Sequence, residues 1–427
     1  MKIKVKKMDY DEVLKQPPFK KLPPRKPSIL FRTLLKLLSS SDLKATNFTY
    51  TQTGMERLGK NEPALILMNH SSFIDLKIAS TVLYPRPFNI VCTSDGFVGK
   101  EWLMRRIGCI PTNKFVTDAQ LVRDILYALK TNNCSVLMYP EASYSFDGTA
   151  TPLPESLGKC LKLLGVPVIM IRTYGAFSRD PLYNGLRLRN VDVSCNMEYV
   201  LSPDDIDNMT VEELNRRLSE LFTFDNFDWQ IKNRVKIAEP TRAEGLNRVL
   251  YKCPECLSEG SMIAKGTTIS CDKCGCEYEL SEYGEIVRRN GRARFSTVPK
   301  WYSWERECVR DEILYNNYKL DVPVNILMMV NTDCVYDVGE GRLIHDESGF
   351  KLTGCGGRLE YSQKPTASYS LYSDYFWYEI GDMICIGNKK VLYYCFPMCE
   401  GDVVAKTRLA AEEMYKLART RSVSRIK

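Results

Sequence analysis

His70 and Asp75 interrupt an apolar run in the stretch NHSSFID, residues 69–75, and the chain has only one other histidine, His345. In a continuous helix, side chains five residues apart point about 140° away from each other and do not meet. If the chain instead turns after a buried strand and a helix begins near Ser72, Asp75 lies in the first turn and reaches back to the imidazole. Such a pair can take a proton from a hydroxyl group.

A structural interpretation of the same residues stays open. Ser72 and Asp75 have the spacing of a helix capping box, which explains the aspartate without catalysis. A histidine at the end of a strand also often makes only structural hydrogen bonds. The pair alone therefore predicts either a general base or a local structural motif.

A second group of residues is formed by four cysteines: Cys253 and Cys256, followed after fourteen residues by Cys271 and Cys274. Two such pairs predict a tetrahedral four-thiolate site that holds Zn²⁺ on a ribbon of short strands. Iron in a rubredoxin-like site is the alternative. Four thiolates leave no open coordination position, so we expect a structural role for the metal. Cys276 is expected to be a bystander.

Both groups lie in segments with recognisable secondary-structure patterns. Between residues 64 and 200, short β-branched apolar runs alternate with helical patterns, which predicts an α/β domain with a largely parallel sheet. Asp118 is expected to cap one helix, and Thr210 with Glu213 to form a capping box on another. From about residue 320, strand-like segments precede one helix, which predicts a small antiparallel β domain capped by a C-terminal helix. A barrel or a sandwich fits this pattern, and a pleckstrin-homology-like barrel is one example.

Four blocks of the α/β region resemble, in order and distance, those of the glycerolipid acyltransferases, the family of lysophosphatidic acid acyltransferase. They are NHSSFID at 69–75, GCIPTNK at 108–114, YPEASYS at 139–145 and VPVIMI at 166–171. The resemblance covers roughly residues 30–230. It implies transfer of a fatty acyl group from a thioester, acyl-CoA or acyl carrier protein, to a hydroxyl of a lysolipid in phospholipid biosynthesis.

The resemblance also implies roles for individual residues. His70 is the general base on the acceptor hydroxyl, and Asp75 fixes its tautomer and stabilises the imidazolium. The residues implied in substrate binding are Lys114, Glu141, Ser143, Tyr144 and Ser145, with Arg105 and Arg172 as further sources of positive charge.

The blocks depart from the family pattern at positions that concern the acceptor. Lys114 stands where the second block ends in Arg, Tyr144 where the third block has Arg, and Ala142 where it has Gly. Lysine and tyrosine cannot copy the bidentate grip of a guanidinium on phosphate. The family implies 1-acylglycerol-3-phosphate as acceptor, while an aminolipid or glycolipid acceptor stays open.

The positive charge of the chain is concentrated near its N-terminus. Residues 1–36 hold eleven Lys or Arg and three acids, against a net charge of +7 for the whole chain. In residues 28–40, Phe31 and five leucines form a helical stripe opposite Arg32 and Lys36. This pattern predicts an amphipathic helix on an anionic membrane, with packing on its own domain as the alternative. No apolar stretch approaches the length of a membrane span.

These features divide the chain into four predicted parts. They are a basic arm with a membrane-associating helix at 1–45, an acyltransferase domain at 46–235, a zinc ribbon at 248–290 and a β-rich domain with a terminal helix at 295–427. Sixteen cysteines spread through apolar segments, without a signal peptide, predict a reduced cytoplasmic protein that is peripheral on the inner face of the membrane.

The expected partners are membrane lipid and the acyl donor, with no nucleic acid, and the oligomeric state is not predicted.

Two other hypotheses compete with the enzyme. A non-catalytic lipid-binding scaffold is disfavoured by the intact pair of His70 and Asp75. A nucleic-acid-binding protein using the basic arm and the ribbon leaves the four blocks unexplained.

Overall fold

The computed structural model describes residues 2–20, 22–116 and 118–424, which form two compact units. The α/β unit comprises Lys21–Asp180 and Leu188–Asn226. The β-rich unit comprises Met1–Lys20, Pro181–Arg187 and Phe227–Lys427, so both ends of the chain contribute to it. It begins with strand β1 (Val5–Lys7) and helix α1 (Tyr10–Leu14).

The α/β unit is built on a seven-stranded sheet. Its strands are β2 (Thr49–Thr53), β3 (Leu65–Met68), β4 (Phe88–Thr93), β5 (Cys109–Thr112), β6 (Ser135–Met138), β7 (Val168–Tyr174) and β8 (Ser194–Leu201). Its helices are α2 (Ile29–Ala45), α3 (Asp75–Val82), α4 (Glu101–Arg106), α5 (Ala119–Leu126), α6 (Leu157–Leu164), α7 (Ala176–Arg179), α8 (Pro203–Asn208) and α9 (Val211–Phe222). The order across the sheet is β2-β8-β7-β3-β6-β4-β5, and every neighbouring pair is parallel except β7 with β8. The sheet is therefore mixed and mostly parallel, as predicted.

Strand β3 lies in the middle of this sheet because both of its faces are apolar. Ile66 and Met68 face one core together with Ile78 of α3. Leu65 and Leu67 face the other core, which includes residues of α6 and α9. Alternate side chains of a strand point to opposite faces, so a continuous apolar run fits a strand that is covered on both sides. The carboxyl end of β3 thereby brings residues 69–75 to the edge of the sheet.

The predicted helix starts are confirmed. The Asp118 side chain accepts a hydrogen bond from the Gln120 amide at 3.0 Å at the start of α5. At the start of α9, Thr210 accepts from the Glu213 amide at 3.2 Å and Glu213 accepts from the Thr210 amide at 2.8 Å. Each such cap stabilises its helix by about 1 kcal/mol, because it satisfies amides that have no partner within the helix.

The β-rich unit contains two sheets, a small antiparallel one and a large one that is antiparallel except where β1 joins it. Helix α10 (Asn226–Lys232) precedes the small sheet, whose strands are β9 (Met262–Lys265), β10 (Thr268–Cys271), β11 (Glu277–Leu280) and β12 (Ile286–Arg288). Helix α11 (Val298–Leu314) then leads to β13 (Leu320–Met329), β14 (Val335–Asp346), β15 (Gly349–Gly354), β16 (Leu359–Gln363), β17 (Tyr372–Trp377), β18 (Gly381–Gly387), β19 (Leu392–Pro397) and helix α12 (Val404–Ser424). The large sheet has the order β16-β15-β14-β13-β19-β18-β17. A separate antiparallel region followed by a helix agrees with the prediction.

The N-terminal residues differ from the predicted arm. Strand β1 pairs in parallel with Val335–Asp337 of β14, and Arg358 binds Asp9 with two contacts of 2.9 and 3.0 Å. Val13 of α1 is fully buried. Residues 5–14 therefore belong to the β-rich unit and α2 to the α/β unit, so the predicted segment 1–45 is not one structural element. The extended backbone of β1 finds partners on β14 that the charge pattern did not reveal.

None of the helices in these described ranges is long and apolar enough to cross a bilayer.

Candidate active site and metal centre

His70 and Asp75 meet at the carboxyl end of β3. The His70 Nδ1 atom lies 3.1 Å from Asp75 Oδ2, and 15% of the His70 side chain is exposed whereas Asp75 is buried. With Asp75 ionised, Nδ1 carries the proton and its N–H group donates a hydrogen bond to the carboxylate, which leaves the lone pair on Nε2. The sequence placed these two residues together correctly, because α3 begins at Asp75.

The turn between the two residues is held by the same carboxylate oxygen. Asp75 Oδ2 also accepts from the amides of Ser71 at 2.8 Å and Ser72 at 3.1 Å. The Ser72 hydroxyl accepts from the Ile74 amide at 3.3 Å instead of capping the Asp75 amide, so the reciprocal capping box is not formed. One oxygen therefore both shapes the turn and orients the imidazole.

Asn69 fixes this turn to the neighbouring strand. Its side-chain oxygen accepts from the Thr173 amide of β7 at 2.8 Å, and its amide group donates to Ser71 Oγ at 3.1 Å. Asn69 is buried. Sequence reasoning did not single out this residue, although its place directly before the histidine was the available signal.

Burial shifts both pKa values of the pair toward the neutral forms. It lowers the pKa of His70 well below the usual 6.5, and the charge of Lys114 lowers it further. It also raises the pKa of Asp75 to about 8, against the opposing effect of hydrogen bonds from Ser72 and Ser71. Asp75 Oδ1 is buried and has no hydrogen-bond partner among the described residues. His70 is therefore neutral near pH 7, as a general base has to be.

Glu141 positions the backbone of the site. Its Oε2 accepts from the His70 amide at 2.9 Å and its Oε1 accepts from the Thr151 amide at 2.7 Å. The side chain is buried. Glu141 therefore ties the loop after β6 to the loop after β3, and its observed contacts are those of a residue that organises the site.

Two tyrosine rings stack on the imidazole. The Tyr139 centroid lies 4.1 Å and the Tyr144 centroid 3.9 Å from that of His70, with interplanar angles of 27° and 30°. Phe73, half exposed, lies 5.3 Å from Tyr144. Tyr144 was predicted at the site from the third block, whereas Tyr139 was missed, although it directly precedes Pro140.

The rest of the third block forms a tight loop. Ala142 has a φ of 55°, a left-handed conformation in which glycine is favoured by about 1 kcal/mol. This explains why the family pattern has Gly there. Ser145 accepts from the Gly148 amide at 2.9 Å, and the buried Ser143 contacts the Tyr144 carbonyl at 3.3 Å. Both serines thus shape the loop in the structure.

The three predicted cations have different surroundings. Arg105 binds Glu101 of its own helix at 2.8 Å, and Arg172 donates to the Leu221 carbonyl at the end of α9. Lys114 follows β5 at the same edge of the sheet as His70 and acts on its pKa. The structure thus associates Lys114 with the His70 site and gives the two arginines structural partners.

A further buried acid, Asp180, lies near Asp75 and was missed from the sequence. Arg179 is 4.0 Å from it, and burial raises its pKa to about 6 while a hydrogen bond with Ser72 lowers it. The isolated Asp180 at the end of α7 gave no sequence signal, because its proximity to Asp75 depends on the packing of α7 and α3.

The four cysteines predicted as metal ligands converge. The Sγ atoms of Cys253, Cys256, Cys271 and Cys274 all lie within 4.8 Å of one another. The distances Cys253–Cys274 and Cys256–Cys271 are both 3.7 Å. A tetrahedral thiolate site with metal–sulfur bonds of ~2.3 Å places its sulfurs about 3.8 Å apart, so the cluster fits such a metal ion.

Each pair of cysteines sits on the same kind of turn. The Leu257 amide donates to the Cys253 carbonyl at 3.0 Å, and the Gly275 amide donates to the Cys271 carbonyl at 2.9 Å. Leu257 and Gly275 both have positive φ values, 61° and 71°. The Sγ atom of Cys276 lies 3.6 Å from that of Cys253. Cys276, which was expected to take no part in the site, is therefore a direct neighbour of the cluster.

Comparisons with known proteins address the α/β unit. Residues 49–173 match the model of the acyltransferase family, and this range contains all four blocks. The chain carries an acyltransferase-family domain. The resemblance predicted from the blocks is thus confirmed at the level of the family.

The other comparisons add little to the acyltransferase assignment. A search of curated proteins gave no match. Among solved structures, the crystal structure of the 1-acyl-sn-glycerophosphate (LPA) acyltransferase PlsC from Thermotoga maritima aligns with a TM-score of 0.38 at 16% identity, over 45% of this chain and 76% of that chain. At this TM-score the alignment does not support a fold assignment.

Proposed function

We propose that the acyltransferase-family domain transfers a fatty acyl group from a thioester to a hydroxyl of a lysolipid. The observation that carries this proposal is the 3.1 Å contact of His70 Nδ1 with the buried Asp75, which directs Nε2 away from the carboxylate. A neutral imidazole held in one tautomer is suited to remove a proton from an alcohol. The same pair also disfavours the scaffold hypothesis.

The proposed reaction needs no acyl-enzyme. His70 Nε2 takes the proton of the acceptor hydroxyl while its oxygen attacks the thioester carbonyl. The tetrahedral intermediate then expels the thiolate, and the imidazolium returns the proton to the sulfur. One ester bond forms, one thioester bond breaks, and the enzyme ends in its starting state. Acyl-CoA and acyl carrier protein both supply such a thioester.

The acceptor proposed first is 1-acylglycerol-3-phosphate, with Lys114 as the cation that attracts its phosphate. Lys114 is supported by its electrostatic effect on His70. A lysolipid without a phosphate monoester, such as an aminolipid or glycolipid, is the second candidate. It is favoured by Tyr144, which stacks on His70 where the family pattern has an arginine.

We propose further that the protein works as a peripheral membrane enzyme, with α2 on the lipid surface. Four leucines of α2 are 45–70% exposed: Leu30, Leu34, Leu37 and Leu38. Trp102 of α4 extends this face, since it is 65% exposed and its ring lies 6.4 Å from that of Phe31. An amphipathic surface of leucines with a tryptophan suits the membrane interface.

The cations of α2 have a different role from the one predicted. Arg32 donates to the Pro85 carbonyl, and the Lys36 ammonium lies 4.2 Å from the centre of the Tyr84 ring. These contacts hold the polar face of α2 against its own unit, so the apolar face is the one directed outward. The proposed attachment is therefore chiefly hydrophobic at α2.

We propose Zn²⁺ as the ion held by Cys253, Cys256, Cys271 and Cys274. When bound, the ion would cross-link the two turns and stabilise the ribbon without taking part in acyl transfer. The sulfur distances support a four-coordinate ion.

The test of the proposed activity is acyl transfer from labelled acyl-CoA and acyl carrier protein to a panel of lysolipids. Wild type is expected to form product, and His70→Ala to lose at least about 100-fold of the rate. The other histidine offers a matched control, since His345 is buried against Tyr318 and Phe350 in the β-rich unit. His345→Gln is expected to retain activity, and equal activity of His70→Ala and wild type would overturn the proposal.

A further inference from the structure

The stacking of two tyrosines on His70 has no part in the proton transfer described above. The ring centroids of Tyr139 and Tyr144 lie 4.1 and 3.9 Å from that of the imidazole, at angles of no more than 30°. Two six-membered rings stacked this closely would clash on one face of the imidazole, so they lie on opposite faces. Only 15% of the His70 side chain is exposed. An acceptor hydroxyl must then approach along the edge of the ring.

We propose that Tyr139 and Tyr144 are positioning residues that hold His70 edge-on to the acceptor and stabilise the imidazolium formed during acyl transfer. The inference rests on the proposed function, because it assumes that His70 takes the proton. It assigns to the two rings an effect on the rate and not on acceptor binding.

The physical reason is the difference between the two states of the imidazole. A cation within about 6 Å of an aromatic centroid is attracted by the ring face, and the attraction grows when water is excluded. A neutral imidazole gains much less from the same contact. Two rings at about 4 Å therefore stabilise the imidazolium more than the resting base, which lowers the barrier.

Stabilisation of the imidazolium by the two rings offsets the unfavourable effect of burial on this charged form. Desolvation of His70 disfavours its charged form, and Lys114 adds repulsion. Asp75 contacts the imidazole only at Nδ1. The faces of the two tyrosine rings can stabilise the remainder of the imidazolium without a second charged group. They leave the edge with Nε2 accessible to the acceptor.

The two tyrosines reach His70 from different parts of one block. Tyr139 directly follows β6, beside β3 in the sheet, and Tyr144 comes from the loop after the left-handed Ala142. The Glu141 contact with the His70 amide holds this loop in place. The positions of both tyrosine rings are therefore fixed by the backbone of β6 and of the loop that follows it. A positioning role requires such fixed rings.

The test compares Tyr144→Phe with Tyr144→Leu, using the acceptor that wild type prefers. Phenylalanine keeps the ring face without the hydroxyl, whereas leucine fills similar space without a ring. We expect Tyr144→Phe to stay within about twofold of wild type and Tyr144→Leu to lose about tenfold in kcat, with KM for the acceptor within about twofold. Tyr139→Phe and Tyr139→Leu repeat the comparison on the other face if Tyr144→Leu does not fold.

The possible outcomes separate this inference from the proposed function. Equal kcat for the Phe and Leu variants, or a rise in KM at constant kcat, overturns the inference while an inactive His70→Ala keeps His70 as the base. A tenfold loss in Tyr144→Phe also overturns it, because the hydroxyl and not the ring face is then needed. A fully active His70→Ala overturns the proposed function itself.

Discussion

The cysteine cluster and the His70 site were both predicted from residue spacing, yet they are assembled in different ways. The four cysteines lie within residues 253–274, and two short turns bring them together on one small sheet. The His70 site draws on the ends of β3 and β6 and on residues as far apart as His70 and Thr151. Local spacing therefore determines the metal ligands almost completely, whereas at His70 it determines the chemistry but not the surroundings.

Removing the metal ligands is the prediction with the largest expected effect. The double variant Cys253→Ser with Cys256→Ser should lose its bound metal and unfold strands β9–β12, because metal binding supplies roughly 10 kcal/mol to small thiolate sites. Metal content per chain and amide exchange of the ribbon measure this directly. One retained metal ion per chain in the double variant would contradict the four-thiolate site.

The neighbouring Cys276 provides the matched control for this experiment. Its sulfur is as close to Cys253 as the predicted ligands are to one another, at 3.6 Å. Cys276→Ser should nevertheless keep one metal ion, because Cys253, Cys256, Cys271 and Cys274 already complete a tetrahedron. Loss of the ion in this variant would show that spacing alone does not identify the ligands.

At the His70 site, the corresponding change is Asp75→Asn. The amide oxygen can still accept from Ser71 and Ser72, so the turn should survive, but a neutral group no longer stabilises the imidazolium. We expect kcat to fall about 100- to 1,000-fold with little change in KM. Steady-state kinetics with the preferred lysolipid checks this.

Asp180→Asn is the control, because Asp180 is also a buried acid with a raised pKa but has its hydrogen bond with Ser72. It should lie within about threefold of wild type. Equal losses of kcat in the two variants would mean that replacing any buried acid near the site lowers the rate. Asp75 would then have no specific role as the partner of His70.

The pH dependence gives a smaller effect of known sign. Because the pKa of Asp75 is raised to about 8, its carboxylate fraction, and with it kcat, should increase about tenfold between pH 7 and pH 9. No loss is expected near pH 6.5 from His70, because burial lowers its pKa and the neutral base persists on the acid side. Rates corrected for the His70→Ala background measure this profile. A flat profile from pH 7 to pH 9 would show that the three N–H donors on Oδ2 keep Asp75 ionised.

The parts of the fold and site that were predictable share a physical origin in local sequence. The apolar runs of β3 and β7, the caps of α5 and α9 and the turn at Ser72 each depend on residues within one segment. Asp180 gave no local signal, because its neighbours Asp75 and Ser72 come from another segment. Tyr139 and Asn69 adjoin site residues in the sequence, but the contacts that give them a role are made with other segments. The pairing of β1 with β14 was missed for the same reason, since three exposed residues carry no periodic signal.

Helix α2 sharpens this comparison, because its apolar stripe is a local pattern whereas its extension by Trp102 is a tertiary contact. Leu30→Ser with Leu37→Ser should weaken sedimentation with anionic vesicles several-fold, since each exposed leucine buries apolar area in the interface. Trp102→Ser should add a further loss if α4 belongs to the same surface. Leu163→Ser with Leu188→Ser removes equally exposed leucines elsewhere in the α/β unit and should leave vesicle binding unchanged. If both double variants bind alike, α2 does not face the membrane, and the stripe was a pattern without the predicted function.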